Sequence, residues 1–278
     1  TVLDVIDGKV NGEDDIAILD ASAACYRANV LKAKKLIYVT DTRQKMHFAM
    51  LFQAARDAGI CDDSVELTHV SFGSVLGQDG KPFKTRSGET VTLSSLLDEA
   101  EERAREILLE KNPDADKDAL KELSRAIGIS AIKYADLSCD RIKDYIFNWD
   151  RMLAFDGNTA PYIQNAYVRC RALISKALAR GKKCELHKIA SDDEKRLAKK
   201  CMYLGSVVQQ AAKTYEPHRL CAYLYDLASN YHSFYEKYPV LTESDNSILE
   251  SRLAISDYVS KVLAKGMYLL GVAVIEKM

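Results

Sequence analysis

Two short runs rich in β-formers, Lys35-Leu36-Ile37-Tyr38-Val39 and the stretch from Val65 to Phe72, flank a segment from Gln44 to Ala58 that reads as a helix stopped by Gly59. No other feature constrains the fold as much. Another helix, the Ala-rich stretch Asp20 to Leu31, precedes the first run. Helix, strand, helix, strand is α/β patterning and predicts parallel strands joined by crossover helices. Two strands alone make a poor sheet. The pattern therefore predicts part of a larger domain whose remainder lies upstream of Thr1. A start without methionine, in a segment that makes no obvious domain start, fits a fragment or a processed product.

From Gly73 to Val91 the composition turns to Gly, Lys, Thr and Ser without periodicity, which predicts a functional loop. Ser95-x-x-Asp98 offers a capping box for a helix running to about Glu110. A boundary is expected within residues 111–128, around Asn112-Pro113. Beyond it almost everything reads helical. Ile163, Tyr167, Cys170, Ile174 and Ala177 step by four and three along one face that Pro161 helps to start. Ser191-x-x-Glu194 caps a second helix, and Pro217 opens a third through Tyr235. Ile248, Ile255, Val262 and Leu269 recur every seven residues along a fourth. The expected architecture is mixed: an incomplete α/β segment over residues 1–110, then an all-α antiparallel bundle over 111–278.

The chain has 278 residues, 47% of them hydrophobic and 28% charged, with a net charge of −1. No apolar run approaches the ~20 residues of a membrane helix, and no secretory leader opens the chain. Its seven cysteines are odd in number and scattered, which fits free thiols in a reducing cytoplasm and neither a disulfide frame nor a zinc site. The five histidines show no metal spacing. A near-neutral chain is a poor nucleic-acid binder by net charge, but the distribution is uneven. Arg169 to Lys200 holds eleven Lys/Arg against four Asp/Glu, while Glu89 to Glu122 holds five against eleven. The basic stretch can follow phosphates or can be only a solvated helix face.

The sharpest segment is Gly77-Gln78-Asp79-Gly80-Lys81-Pro82-Phe83-Lys84-Thr85-Arg86-Ser87-Gly88. Three cations lie within six residues, between glycines, just after a strand. Mobile lysines with small neighbours can close over a polyphosphate and neutralise charge that develops during nucleotidyl transfer. An exposed basic loop without a catalytic role has the same composition.

Lys81-Pro82-Phe83-Lys84-Thr85-Arg86-Ser87-Gly88, continued to Leu97-Asp98-Glu99-Ala100, resembles the signature loop of bacterial arginyl-tRNA synthetases, which stands where other class I synthetases carry KMSKS. Tyr38-Val39-Thr40-Asp41-Thr42-Arg43-Gln44 resembles that family's strand-end motif. Ala131-Ile132-Lys133-Tyr134-Ala135-Asp136-Leu137-Ser138 resembles the opening of its anticodon-binding domain. Trp149-Asp150-Arg151-Met152-Leu153 and Gly157-Asn158-Thr159-Ala160-Pro161-Tyr162 resemble that domain's long helix and its lead-in. The resemblance covers roughly residues 20–278 and implies the C-terminal part of the class I nucleotide-binding fold followed by an anticodon-binding helical domain. It further implies an arginine–tRNA ligase using ATP and Mg²⁺, with L-arginine and the tRNA for arginine as partners, in the cytoplasm. The expected state is a monomer, or a chain docked to a missing N-terminal half.

The resemblance also assigns roles. Lys81 and Lys84 would stabilise the ATP phosphates and the transition state. Phe72, Gly73, Phe83, Thr85 and Arg86 would complete the nucleotide site, with Pro82 standing where the first KMSKS lysine would be. Asp20 and Gln44 fall where the family recognises arginine. A carboxylate suits a guanidinium's fork of donors, although Asp20 could equally be a helix N-cap. Tyr162, Tyr167, Arg171, Tyr223 and Met278 fall on the anticodon side, where rings can stack on unpaired bases. Tyr167 lies on the apolar face, which favours a core position. The chain departs from the family at Ile16, where a tyrosine is usual, and at Leu19, where a threonine is usual. Its HIGH-type motif is absent. Those departures keep a second reading open, a non-catalytic relative serving as an RNA-binding or structural module of a larger assembly. A helical protein–protein module is a third.

Overall fold

The computed structural model describes residues 13–77, 79–81 and 92–277. They form two compact units, one of the described residues up to 74 with 141–145, the other of the described residues from 75 to 140 and from 146 on.

In the first unit, helix α1 (Glu13–Cys25) runs on into a π-helical turn, Tyr26–Val30, and strand β1 spans Lys35–Asp41. Helix α2 (Lys45–Asp57) crosses over to strand β2 (Glu66–Phe72), and Gly59 takes the left-handed φ of 67° that ends the helix. The two strands pair in parallel with Lys35 opposite Glu66 and Asp41 opposite Phe72. Leu36 and Tyr38 are buried with Phe48, Leu51, Ala55 and Ala28 on one face of β1. On the other face Ile37 is 45% and Val39 61% exposed. Parallel sheets are normally covered on both faces, so this unit has the character of an unfinished sheet. The outer side of β2 is met by residues 141–145: Arg141 Nη1 donates to Ser71 O at 2.7 Å and Gly73 N donates to Arg141 O at 2.7 Å. Glu66 N donates to Lys34 O. Alternation then aims the N–H and C=O of Ile37 and Val39 away from β2, to an edge of β1 that pairs with no other strand among the described residues.

Among the described residues of the second unit the regular elements are helices, apart from the two-residue strand β3 (Val75–Leu76) and Ile146, the end of strand β4 (Tyr145–Ile146). Helix α3 spans Leu93–Lys111, α4 Lys117–Ser138, α5 Trp149–Leu153, α6 Ala160–Leu178, α7 Asp192–Met202, α8 Leu204–Thr214, α9 His218–Lys237 and α10 Asn246–Leu269. The cap of α3 is Thr92, whose hydroxyl accepts from Ser95 N, so the helix starts one turn before the expected box at Ser95. Asn112-Pro113 joins α3 to α4 within this one unit. The two helices approach closely where Gly128 sits: a Cβ there would lie 2.5 Å from Ala100 O. Thr159 caps α6 and Ser191 caps α7, each accepting from the N–H three residues on.

Two expectations change. Residues 181–190 are not helical; Gly181, with φ 71°, ends the turn after α6 and an extended strap follows. The seven-residue stripe of α10 does not stay buried. Ile255 and Val262 are inside, Ile248 is half-buried and Leu269 is 45% exposed. A straight helix drifts about 20° per heptad, so the stripe rotates out of the core along its length.

At the centre Arg252 of α10 is buried. Its Nε donates to Glu194 Oε1 at 2.8 Å and its Nη1 to Glu243 Oε2 at 2.8 Å, with its guanidinium 4.7 Å from the Tyr238 ring centroid. Glu194 is fully buried, and its other oxygen accepts from Ala190 N at 2.6 Å. Removing one member of such a group strands a charge in the core. Arg252→Ala is expected to cost about 3–5 kcal/mol of unfolding free energy by urea titration, and Arg252→Met with Glu194→Gln to recover a large part of that loss.

Candidate functional site

Sites in open parallel sheets form beyond the carboxyl ends of the strands, and in the first unit that end is knit together by the residues following β1 and β2. Thr42 Oγ1 donates to Phe72 O at 2.9 Å. Asp41 takes Arg43 in a two-pronged contact at 2.9 and 3.0 Å and also accepts from Arg43 N. The Arg43 guanidinium, and then its backbone N–H, hold the Asp41 carboxyl down at about 2. Thr40 Oγ1 and His69 Nε2 lie 2.8 Å apart, and the His69 ring stacks on Phe48 at 4.8 Å. Burial pushes His69 below the ordinary histidine range.

Asp20 lies inside α1 and is not its N-cap. Its Oδ2 meets Nε2 of His47, in the first turn of α2, at 2.8 Å. Asp20 Oδ1 has no partner among the described residues. Gln44 stands at the N-cap position of α2, exposed, without a side-chain capping bond. The start of α2 thus gathers Asp20, through His47, and Gln44, one turn before His47. A carboxylate and an amide oxygen are groups that can accept a guanidinium's donors. His47 was missed by the sequence reading; its signal was its position three residues beyond Gln44.

Phe72 and Gly73 close β2. Phe72 is 42% exposed. A Cβ on Gly73 would sit 2.7 Å from the carbonyl of Lys143, so this position needs glycine for the close passage of residues 141–145. In the second unit Lys81 is exposed and closes a tight turn. Gly77 N donates to Lys81 O, Lys81 N donates to Asp79 Oδ1, and Gly80 has φ 72°. Phe83, Lys84, Thr85 and Arg86 lie outside the described residues, as does Met278.

The aromatic candidates of the helical unit separate. Tyr167 is buried and its hydroxyl donates to Glu276 Oε1 at 3.1 Å. Tyr223 is half-buried and packs on the main core; its hydroxyl donates to Lys200 O at 2.8 Å, tying α9 to the last turn of α7. Arg171 is exposed and stands 3.9 Å from Asp257. Tyr162 belongs to a different constellation. Its ring lies 5.5 Å from Tyr225 and 4.8 Å from His232. Arg169 Nη1 lies 3.0 Å from His232 Nδ1, and its guanidinium stands 5.0 Å from the Tyr235 centroid. Tyr225, Tyr162, His232, Arg169 and Tyr235 therefore form one column along α6 and α9, ending at the part-exposed Tyr235. Spacings of seven (162 to 169, 225 to 232) and three (232 to 235) carried this signal.

The basic stretch is not one helix face. It comprises the end of α6, the strap and most of α7, and many of its cations are matched. Lys182 reaches Asn246, Lys188 reaches Asp245 and Lys200 reaches Asp226. Glu185, His187 and Glu250 lie within 4.8 Å of one another on the strap and α10, with His187 Nε2 3.0 Å from Glu250 Oε2.

The chain matches a family model described as tRNA synthetases class I (R), catalytic domain, over residues 2–149, and one described as DALR anticodon binding domain over residues 163–278. It is 44% identical to the arginine–tRNA ligase of Cellvibrio japonicus and 44% identical to that of Alcanivorax borkumensis, in each case over 99% of this chain and about half of the relative (48% and 47%). The arginyl-tRNA synthetase of Plasmodium falciparum superposes with a TM-score of 0.78 at 30% identity, covering 96% of this chain and 45% of that one. The Thermus thermophilus arginyl-tRNA synthetase superposes at 0.77 and 30%, covering 89% and 42%. Fold and motifs thus define a class I aminoacyl-tRNA synthetase segment, the end of the catalytic fold with its helical anticodon-binding domain. The chain belongs to the arginyl family of that class and corresponds to its C-terminal half, spanning about half the length of the curated relatives it matches.

Tyr223→Phe is expected to lower stability by about 1 kcal/mol, the worth of one hydrogen bond to the backbone, without altering any preference among tRNAs. Thermal melts and filter binding on the same protein check both parts.

Proposed function

We propose that this chain is the C-terminal portion of an arginine–tRNA ligase that activates L-arginine with ATP and passes it to the tRNA for arginine. The 44% identity to such ligases along 99% of the chain carries the reading. In the first step the arginine carboxylate attacks the α-phosphorus of ATP, the bond to pyrophosphate breaks, and arginyl-adenylate forms. In the second a terminal tRNA hydroxyl attacks the activated carbonyl and AMP leaves. Asp20, held by His47, accepts the substrate guanidinium beside Gln44. Lys81 and Lys84 neutralise phosphate charge as it develops, with Thr85, Arg86 and Phe83 shaping their loop and Phe72 and Gly73 bordering the nucleotide. Mg²⁺, bound with ATP, would add to the neutralisation of phosphate charge. Tyr162, Arg169 and Tyr235 face the tRNA, and Arg171 and Met278 are further candidates for contact with it. Tyr167 and Tyr223 serve the core. The catalytic part ends near residue 110 and the tRNA-binding part begins near 111.

The open edge and bare face of the two-stranded sheet support a further point: the chain alone is inactive and needs the first half of the fold. Among the described residues no helix is long and apolar enough to cross a membrane, and the seven cysteines are free. The proposed location is the cytoplasm, and the proposed state a monomer or a chain docked to that first half.

Arginine-dependent ATP–pyrophosphate exchange should be absent from the purified 278-residue chain and appear when the first half of the Cellvibrio japonicus ligase is added. Exchange by the chain alone would overturn the need for a first half. No exchange in the mixture, or in a single-chain fusion of the two halves, would overturn the ligase reading. Separately, the chain should bind arginine tRNA with a strong salt dependence, and Arg169→Ala should reduce the salt slope by about one unit if Arg169 reaches a phosphate.

A further inference from the structure

His232 has a geometry that its burial alone does not require. A guanidinium carries only donors, so the 3.0 Å contact from Arg169 Nη1 makes His232 Nδ1 an unprotonated acceptor and puts the ring proton on Nε2. The ring stacks obliquely on Tyr162, 4.8 Å away and tilted by 57°. Arg169 in turn covers Tyr235. A long arginine side chain is thereby fixed at its tip by an acceptor and along its plane by a ring, which removes much of the rotamer freedom it would lose on binding. Arg169 and Tyr162 face the imidazole from α6, and Tyr235 and Glu236 flank it on α9. Burial first, then the Arg169 charge, hold His232 below the ordinary histidine range, against the Tyr162 backbone and Glu236, which pull it up.

We propose that His232 is a positioning residue for RNA: its neutral Nδ1 holds the Arg169 guanidinium over Tyr235, so that cation and ring meet an unpaired base and its phosphate as one prearranged surface. This rests on the reading that the helical unit binds tRNA. A protonated Nδ1 would set donor against donor and cation against cation, releasing Arg169. Binding is therefore full while His232 is neutral and weakens as pH falls through its folded pKa. Nucleic-acid binding ordinarily moves the other way, because carboxylates lose charge in acid.

The test is tRNA binding by the whole 278-residue chain at fixed ionic strength, from pH about 8 to about 4.5, a window carried below the ordinary histidine range because burial and Arg169 hold His232 beneath it. His232→Asn places a carbonyl oxygen close to the position of Nδ1 and cannot protonate there; His232→Leu removes the acceptor. Wild type should lose affinity toward the acid end. His232→Asn should stay within about twofold of wild type at neutral pH and show no acid loss. His232→Leu should lose about tenfold at neutral pH, the effect of one hydrogen bond to a charged group, and Arg169→Ala should add little to it. If Arg169→Ala weakens binding while His232→Leu and the pH profile match those of wild type and the Asn variant, the positioning role is wrong and the tRNA reading stands. If wild type binds no tRNA, both fall. Should His232→Leu not fold by thermal melt, the pH profiles of wild type and His232→Asn decide alone: parallel profiles overturn the proposal.

Discussion

The arrangement of the helical unit depends on the burial of one guanidinium. Arg252 lies in the middle of α10, the helix with the most buried residues, and two carboxylates and a ring surround it. A buried charge is tolerable only when its partners are all in place, so every element that supplies one is held to a single position. Glu194 brings α7, Glu243 brings the turn after α9, and Tyr238 brings the end of α9 itself. The second oxygen of Glu194 then takes Ala190 N, and Ser251, one residue before Arg252, accepts from both His187 N and Lys188 N. The strap, which has no secondary structure of its own, is thus laid along α10 by side-chain acceptors.

That placement has consequences for charge. The strap and α7 carry a cationic run, yet Asp245, Asn246, Glu250 and Asp226 stand against it. Much of the run's charge is therefore engaged in internal pairing, and the RNA surface proposed above lies on the α6–α9 face instead. There the aromatic and imidazole rings lead to Arg169 and Tyr235. The α/β unit follows another logic. Its candidate groups sit where β1 and β2 end, because successive parallel strands deliver their carboxyl termini to the same side, and Asp20 of α1 meets His47 at the start of α2.

Much of this was legible in the residues. Strand, helix and strand from Lys35 to Phe72, the cap at Ser191, the start at Pro161 and the long fourth helix all follow from periodicity and capping chemistry, which act over a few residues. The start of α3 was misplaced because Thr92 and Ser95 are both good caps, and only the φ of −78° and ψ of 150° at Thr92 chooses between them. The strap read as helix because its composition permits helix. Its backbone donors go elsewhere, to Ser251, Glu194 and Glu250.

The candidate site divides the same way. The Lys-rich loop and the strand-end motif are contiguous strings, so the sequence by itself determined the family, the order of elements and the residue types available for binding arginine, phosphate and RNA. Contacts between residues far apart in the chain were decided by tertiary structure alone. Asp20 meets His47 across 27 positions and Arg169 meets His232 across 63. Tyr162, Tyr167 and Tyr223 are chemically identical, yet Tyr162 meets the rings of Tyr225 and His232, Tyr167 reaches the Glu276 carboxylate and Tyr223 reaches the carbonyl of Lys200. A side chain's role follows from which neighbours the fold sets within hydrogen-bonding or stacking distance, and sequence spacing carries that information only along a single helix or strand.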